Sequence, residues 1–348
     1  MHHWYKAVDD GQSVRAVFVD FAKAFDHVDH NILVARLTEF GLPDVIIQWT
    51  CSFLRHRRQR VKIGEVMSDW LVMNAGMPQG SYLGPLTFIT LVDSLQASCM
   101  THKYVDDTTL SEVVAKSGTS NMQVYCDELA QQSEQAQMNI NSCKTKEMLI
   151  GSISKDPPPH LVLCGATVDR VTTFKLLGIR VSSDLKWADH VDAIVSNAAS
   201  RVHFLKQLKR AGVPVRDLLH FYTAIVRPVL EYACPVWHSG LTAGQCNAIE
   251  NIQKRAIRVV YSDTDSDYDI ALIVAGMDSL KERREMLTSR FFKRQVLASN
   301  ALLHYLLPER RDNDTIRSLR NSQPFPSLRA RTNKFHKSFL PYCLKNFT

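Results

Sequence analysis

The sequence predicts an α+β protein whose second half is all helical, and three observations predict it. Strand and helix signals alternate through residues 1–187, in an order that suits antiparallel strands with helices between them. After Trp187 the apolar residues recur at helical spacing alone. Charge divides at the same place: residues 1–187 hold 18 Lys+Arg against 20 Asp+Glu, and residues 188–348 hold 24 against 15. The halves therefore carry −2 and +9 of a net +7. A near-neutral half beside a basic one suggests an acidic site next to a surface that holds a polyanion. Simple unevenness of surface charge would look the same, so charge alone leaves nucleic acid as one of two readings.

Composition sets the outer limits. At 348 residues, 45% hydrophobic and 22% charged, the chain can bury at least one full core and should form two or three domains. A largely disordered chain is excluded. No apolar run approaches the ~20 residues of a membrane-spanning helix. The opening MHHWYKAVDD lacks the apolar run of a secretory signal, which predicts an intracellular protein, nuclear or cytoplasmic. The eight cysteines include no CxxC pair, so neither a zinc site nor a disulfide framework is expected, and most read as buried thiols.

The elements follow in order. Arg15–Phe21 contains Ala-Val-Phe-Val before Asp20 and suits a buried strand. Asn31–Phe40 is helical in spacing and ends at Gly41 and Pro43, and Val45–Leu54 reads as a second helix. Arg60–Ile63 and Trp70–Met73 read as strands around a Gly64 turn. Leu86–Leu95 follows Gly84-Pro85 as a helix. Lys103–Leu110 reads as a hairpin turning at Asp106-Asp107. A polar helix spans 122–138, and strand candidates lie at Glu147–Ile150, His160–Leu163 and Phe174–Val181, with Pro157-Pro158-Pro159 as a loop. Beyond Trp187, Val191, Ile194, Ala198, Val202 and Leu205 share one helix face. Leu218, Tyr222 and Ile225 define a helix closed at Arg227-Pro228. A third helix, Ala243–Tyr261, points Ile249, Ile252, Ala256 and Val260 inward and Lys254, Arg255 and Arg258 outward. Asp263–Asp269 looks like an acidic linker, and a basic region with Arg283, Arg284, Arg290, Lys293 and Arg294 follows.

Carboxylates carry the chemistry. Asp20 ends a strand and Asp106-Asp107 occupy a hairpin turn, where two adjacent acids repel unless a divalent cation reverses the cost. Three acids from neighbouring strands would make an oxygen-only site for two Mg²⁺ in phosphoryl transfer. Asp-Asp is also a common turn dipeptide, and taken alone the pair reads as one.

The surrounding segments decide the matter. Val19-Asp20-Phe21-Ala22-Lys23-Ala24-Phe25-Asp26, Gly76-Met77-Pro78-Gln79-Gly80-Ser81 and Tyr104-Val105-Asp106-Asp107 resemble, in order, motifs A, B and C of reverse transcriptases. The wider text is similar to the non-long-terminal-repeat (LINE-type, Jockey-like) retrotransposon polymerases: FVDFAKAFDHVDHNIL, GMPQGSYLGPLTFITLVDSL, NINSCKTKEM, KLLGIRVSSDLKW and RPVLEYACPVWHSGL all look like that family. The likeness covers nearly the whole chain.

The resemblance implies a right-hand polymerase: a palm of antiparallel strands backed by helices, with residual fingers elements, over 1–187. A helical thumb over 188–262 and a basic C-terminal region over 263–348 would follow. It implies RNA-directed DNA synthesis on an RNA template and DNA primer, with dNTPs and a two-Mg²⁺ site that Mn²⁺ also suits. Asp20 and Asp106 would be the main metal ligands, with Asp107 beside them. Phe25 matches the aromatic gate that rejects a 2′-OH by shape, though the position also suits a core Phe. Gln79 and Gly80 match the segment touching incoming nucleotide and template. Lys144 matches the lysine near the leaving pyrophosphate, with Lys146 close enough to compete for the role. Leu177-Gly178 matches the hairpin gripping the primer end, or is a structural turn. Lys254, Arg255 and Arg258 fall on the thumb, where phosphate contact is expected. The basic run Arg55–Arg60 would meet template phosphate or form a solvated face.

The family has a longer fingers region and an endonuclease before motif A, and only 19 residues precede Asp20 here. The chain is therefore expected to be the palm, thumb and C-terminal part of a longer polyprotein. No GxxxxGK[ST] loop stands in for the fingers. The alternative is a catalytically inactive nucleic-acid-binding remnant. A Mg²⁺-dependent phosphodiesterase would need an activated water, and the Pro-Gln-Gly-Ser segment and aromatic gate argue against it.

Overall fold

Strand β1 (Ser13–Val19) is buried along its whole length, as a run of Ala, Val and Phe at the centre of a sheet must be. The computed structural model describes residues 1–78, 80–261, 268–312 and 323–348. The chain divides into two units, Gln12–Thr172 and Met1–Gly11 with Thr173–Thr348. The break falls ahead of the 187 boundary that periodicity suggests, because the hairpin at 173–182 groups with the helices.

In the first unit a five-stranded sheet adds β2 (Met100–Tyr104), β3 (Asp107–Val114), β4 (Lys146–Ile150) and β5 (Asp169–Arg170), in the order β5-β4-β1-β3-β2. β1 pairs antiparallel with β3 and β4, whereas β5 runs parallel to β4. Helices α1 (His30–Glu39), α2 (Asp44–Leu54), α3 (Leu83–Val92) and α4 (Met122–Gln135) complete the unit. Val17, Val19 and Leu110 of the sheet share one core with Leu33 of α1, Phe88 and Leu91 of α3, and Met122 and Leu129 of α4. This is the mixed α+β fold that the alternation of signals predicts, a sheet backed by helices.

Several elements differ from expectation for definable reasons. The strand expected at 15–21 is displaced to 13–19, since Phe21 leaves the sheet to bridge Ile140. The hairpin around Gly64 is two short ladders, Arg58–Gln59 with Leu71–Val72 and Lys62–Ile63 with Val66–Met67, all exposed. One Phe174–Val181 strand is in fact a hairpin, Thr173–Leu176 against Ile179–Ser182. Arg15 is buried in β1, where its Nε donates to Glu147 Oε1 and its Nη1 to Ser120 Oγ. Arg170 Nε donates to the other Glu147 oxygen at 2.8 Å, so one buried acid neutralises two strands' cations. Cys126, Cys234 and Cys343 are buried, but the other five thiols are partly or fully exposed, fewer buried than their type suggests.

In the second unit, helices α5 (Ala188–Arg210), α6 (Val215–Phe221), α7 (Ala243–Val260) and α8 (Leu280–Phe292) dominate. α7 starts on a capping box at Thr242 and Gln245, and buries Ile249, Ile252, Ala256 and Val260 as predicted. The helix expected to close at Pro228 continues instead as Arg227–Glu231. A widened π-helical turn at Tyr222–Val226 absorbs the carbonyl clash that proline brings. Arg284 is buried rather than part of a basic surface, with its guanidinium 5.9 Å from the Trp237 ring. Asp9 of the N-terminal helix His2–Asp9 accepts the backbone N–H groups of Arg331 and Thr332. Residues 262–267, most of the expected acidic linker, lie outside the described residues, and Tyr268–Ala275 is a helix. Among the described residues no helix is long and apolar enough to cross a membrane.

Candidate active site

Asp20 stands where β1 leaves the sheet. Its backbone is stitched to the segment before β4: Asn141 N donates to Asp20 O at 2.7 Å, and Asp20 N donates to Thr145 Oγ1 at 3.3 Å. That segment sets Lys144 Nζ 3.8 Å from Asp20 Oδ2, an oxygen otherwise buried without a hydrogen-bond partner. Lys146, the competing lysine, is engaged elsewhere, donating to Asp169 Oδ2 at 2.6 Å.

The pairing of β1 with β3 places Val19 opposite Thr108, and one residue further on Asp20 falls level with Asp107. The hairpin turn is Val105-Asp106, one residue earlier than the Asp-Asp pair suggests, because Tyr104 pairs with Asp107 in the ladder. Val105 takes φ +57°, costly for a β-branched residue and an instance of strain held at a site. Asp107 is held above the ordinary carboxylate range, first by burial and then by the charges of Asp106 and Asp20. The carboxyls of Asp106 and Asp20 thus both act on Asp107, with the Lys144 ammonium beside Asp20.

This arrangement fits a divalent cation. A buried carboxylate oxygen lacks a hydrogen-bond partner, and a neighbouring acid resists ionising in the absence of positive charge. Among the described residues no group of three or more His, Cys, Asp or Glu side chains is arranged to hold a metal ion by itself. Mg²⁺ suits such a site, since it is held by one or two carboxylates with waters and substrate phosphates completing the shell.

Phe25 lies on the loop after Asp20, its ring stacked on Phe88 of α3 with centroids 4.3 Å apart. The same loop is laced to the segment before α3: Gly76 N donates to Val28 O, and Met77 N to Phe25 O. His30 Nε2 lies 2.8 Å from Gly76 O. Gly76 has φ +87°, and a Cβ there would come within 2.8 Å of Asp26 O, so only glycine lets the two segments close. Gly80 also has positive φ and open space where a side chain would be; Gln79 lies outside the described residues. Ser81 Oγ donates to Pro78 O and accepts from Gly84 N, fastening the loop to α3. Sequence reasoning missed His30, Phe88 and Thr145, whose roles arise from tertiary neighbours; the histidine ending DHVDH was the visible signal.

The remaining predicted residues belong to the helical unit. Leu177 and Gly178 form a two-residue turn with φ +47° and +87°, the geometry that matches strand twist. Tyr232 Oη donates to Leu177 O at 3.0 Å, and a Cβ on Gly178 would strike the Tyr232 ring at 2.9 Å. On α7, Arg255 and Arg258 are exposed, whereas Lys254 Nζ sits 4.8 Å from the Tyr268 ring centroid.

Known proteins are similar to this chain in sequence. A relative from Drosophila melanogaster named "Probable RNA-directed DNA polymerase from transposon BS" is 27% identical over 329 residues, covering 88% of this chain and 36% of its own. The RNA-directed DNA polymerase from mobile element jockey of the same organism is 26% identical over 273 residues, covering 73% of this chain and 29% of its own. The chain thus spans about a third of the length of these curated relatives. Among solved structures, telomerase from Candida tropicalis, in complex with a fragment of telomeric RNA, aligns with TM-score 0.40 and 12% identity over 85% of this chain and 48% of its own. The family described as "Reverse transcriptase (RNA-dependent DNA polymerase)" matches residues 4–181, from ahead of β1 to the hairpin of Leu177 and Gly178, and the chain belongs to it, on the Jockey-like, non-long-terminal-repeat retrotransposon side.

Proposed function

We propose that this chain performs RNA-templated DNA synthesis, transferring a nucleotidyl group from a dNTP to a primer 3′-OH. The observation that carries the reading is the convergence of Asp20, Asp106 and Asp107 with Lys144 at 3.8 Å from Asp20. Asp20 and Asp106 would be the principal ligands of two Mg²⁺ (or Mn²⁺) ions, with Asp107 alongside. Bound there, the ions would supply Lewis-acid activation of the attacking oxygen and neutralise the leaving one. In the transfer, the primer 3′-oxygen bonds to the α-phosphorus as the bond to pyrophosphate breaks. Lys144, exposed beside Asp20, would give the departing pyrophosphate a proton or a countercharge. Phe25, braced by Phe88, would occupy the space of a ribonucleotide 2′-OH and select dNTPs. Gln79 and Gly80 would meet the nascent base pair, and Leu177 and Gly178 the primer end.

Primer extension by the purified chain on an RNA template, with dNTPs and Mg²⁺, tests this. Asp106→Ala should abolish extension by at least about a thousandfold, as the loss of a charge-stabilising group does; persistent extension would reject the site. The exposed Arg255 and Arg258 favour a second reading, a nucleic-acid-binding remnant without catalysis. Salt-sensitive binding by a wild-type chain that never extends a primer would establish that reading instead.

A further inference from the structure

Gly76 meets two opposing demands. The loop after Asp20 passes so close that a Cβ on residue 76 would come within 2.8 Å of Asp26 O, so the position requires glycine. Glycine is also the residue whose backbone turns most freely, with both signs of φ open to it. The fold removes that freedom from both sides. Gly76 N donates to Val28 O at 2.8 Å, and Gly76 O lies 2.8 Å from His30 Nε2. A carbonyl only accepts, so the imidazole carries a proton on Nε2 and donates it to the bond.

His30 is a firm anchor for that bond. It is the first residue of α1, and the Asp29 carboxylate caps the helix by accepting Asn31 N at 2.7 Å and Ile32 N at 3.0 Å. Leu33 and Leu37 of the same helix are buried in the core of the sheet unit. The next peptide of the loop is held as well, since Met77 N donates to Phe25 O at 2.7 Å. Met77 is itself buried, with Thr87 Oγ1 3.6 Å from its sulfur. The residue at the gate position is therefore tied through its own carbonyl to the neighbour of Gly76. A Cβ on Gly80 would meet nothing within 4 Å, so packing does not restrain that residue. Order in this stretch comes from its ends, where Ser81 Oγ donates to Pro78 O on one side and His30 holds Gly76 O on the other.

We infer that His30 is a specificity-determining positioning residue. By holding the Gly76 carbonyl it fixes the spacing between Phe25 and the Gln79-Gly80 segment, and with it how strictly the sugar of an incoming nucleotide is selected. Its Nε2–H is engaged by the loop carbonyl, so it acts through the loop and not on the nucleotide. A bond that sets the width of a site bears on how well the right nucleotide binds and the wrong one is refused, more than on the transfer at the carboxylates. The inference rests on the nucleotide-selecting part of the proposed function.

Single-nucleotide extension of a primer on an RNA template tests it, with kcat and KM measured for a dNTP and for the matching rNTP. His30→Leu removes the donor, whereas His30→Gln keeps an N–H at the reach of Nε2. His30→Leu should raise the KM for the dNTP about threefold to tenfold, the scale of one net hydrogen bond, with kcat changing less. Its preference for dNTP over rNTP should fall by a similar factor. His30→Gln should recover most of both. His30→Phe, which keeps a ring without the donor, should behave as His30→Leu does. An unchanged KM and preference in the Leu and Phe variants overturns the inference and leaves the proposed function standing. Equal losses in the Gln and Leu variants, or a fall in kcat with KM and preference unchanged, also overturn it and assign His30 to packing alone. A wild type that extends no primer overturns both.

Discussion

At Asp107 the fold holds a carboxyl against its own preference. Burial and two neighbouring carboxyls raise its folded pKa above the unfolded value. The folded state therefore binds the proton more tightly, so stability is greatest below the unfolded pKa and falls as pH rises through the folded one. Asp107→Asn should remove that loss. In EDTA its melting temperature should exceed wild type at pH 7 and match it near pH 4, the gain being about 0.5 kcal/mol once solvent screening of a half-exposed group is allowed for. A melt in which the variant gains nothing at pH 7 would deny the confrontation. Mg²⁺ should reverse the order, stabilising wild type over the variant. At Phe25 the expected consequence is chemical. Phe25→Val should raise incorporation of rNTPs relative to dNTPs by roughly tenfold to a hundredfold, the range of shape-based discrimination. Phe88→Leu, which fills the core but removes the stacked ring, should produce a smaller shift in the same ratio. An unchanged ratio in both would return Phe25 to the role of a core residue.

Elements decide what a motif can do. Gly76 joins the loop after Asp20 to the start of α3, and Gly76→Ala must place a Cβ within 2.8 Å of Asp26 O at a left-handed φ. That change should cost about 2 kcal/mol, read as a lower denaturant midpoint, with primer extension falling further than stability alone explains. Full activity in a folded Gly76→Ala chain would uncouple the two segments. Inside the sheet, Glu147→Ala would leave Arg15 buried with no countercharge and should cost ~3–5 kcal/mol by the same measurement. The sequence showed β1, α5 and α7 plainly, because apolar runs and helical spacing mark buried faces directly. It placed the Val105-Asp106 turn one residue late, because the Asp-Asp pair carries turn propensity while the register of Tyr104 against Asp107 is set by pairing across the sheet. Pro228 read as a terminator because a π turn that absorbs a proline has no sequence mark. The motif residues were legible one by one, but the support of Phe25 by Phe88 and of Asp20 by Thr145 depends on neighbours that spacing cannot supply.

For the whole molecule, the division into two units sharpens the charge argument. Residues 12–172 hold 14 Lys+Arg against 17 Asp+Glu, and the rest hold 28 against 18, so the units carry −3 and +10. The acidic centre and the excess positive charge thus belong to different units, each with its own core. Metal affinity should then follow the carboxylates of the sheet unit, and nucleic-acid affinity the cations of the helical one. Arg255 and Arg258 isolate the second term, being exposed on the polar face of α7 opposite its buried Ile249, Ile252 and Ala256. Arg255→Glu with Arg258→Glu should leave the melting temperature within a degree or two of wild type, as exposed substitutions do. If both arginines meet phosphate, the slope of log affinity against log salt should shrink by about 1.8 in magnitude, some 0.9 for each phosphate no longer neutralised. Affinity for primer–template should fall, while Mg²⁺-dependent stabilisation of the sheet unit stays as it was. An unchanged slope would remove α7 from the nucleic-acid surface.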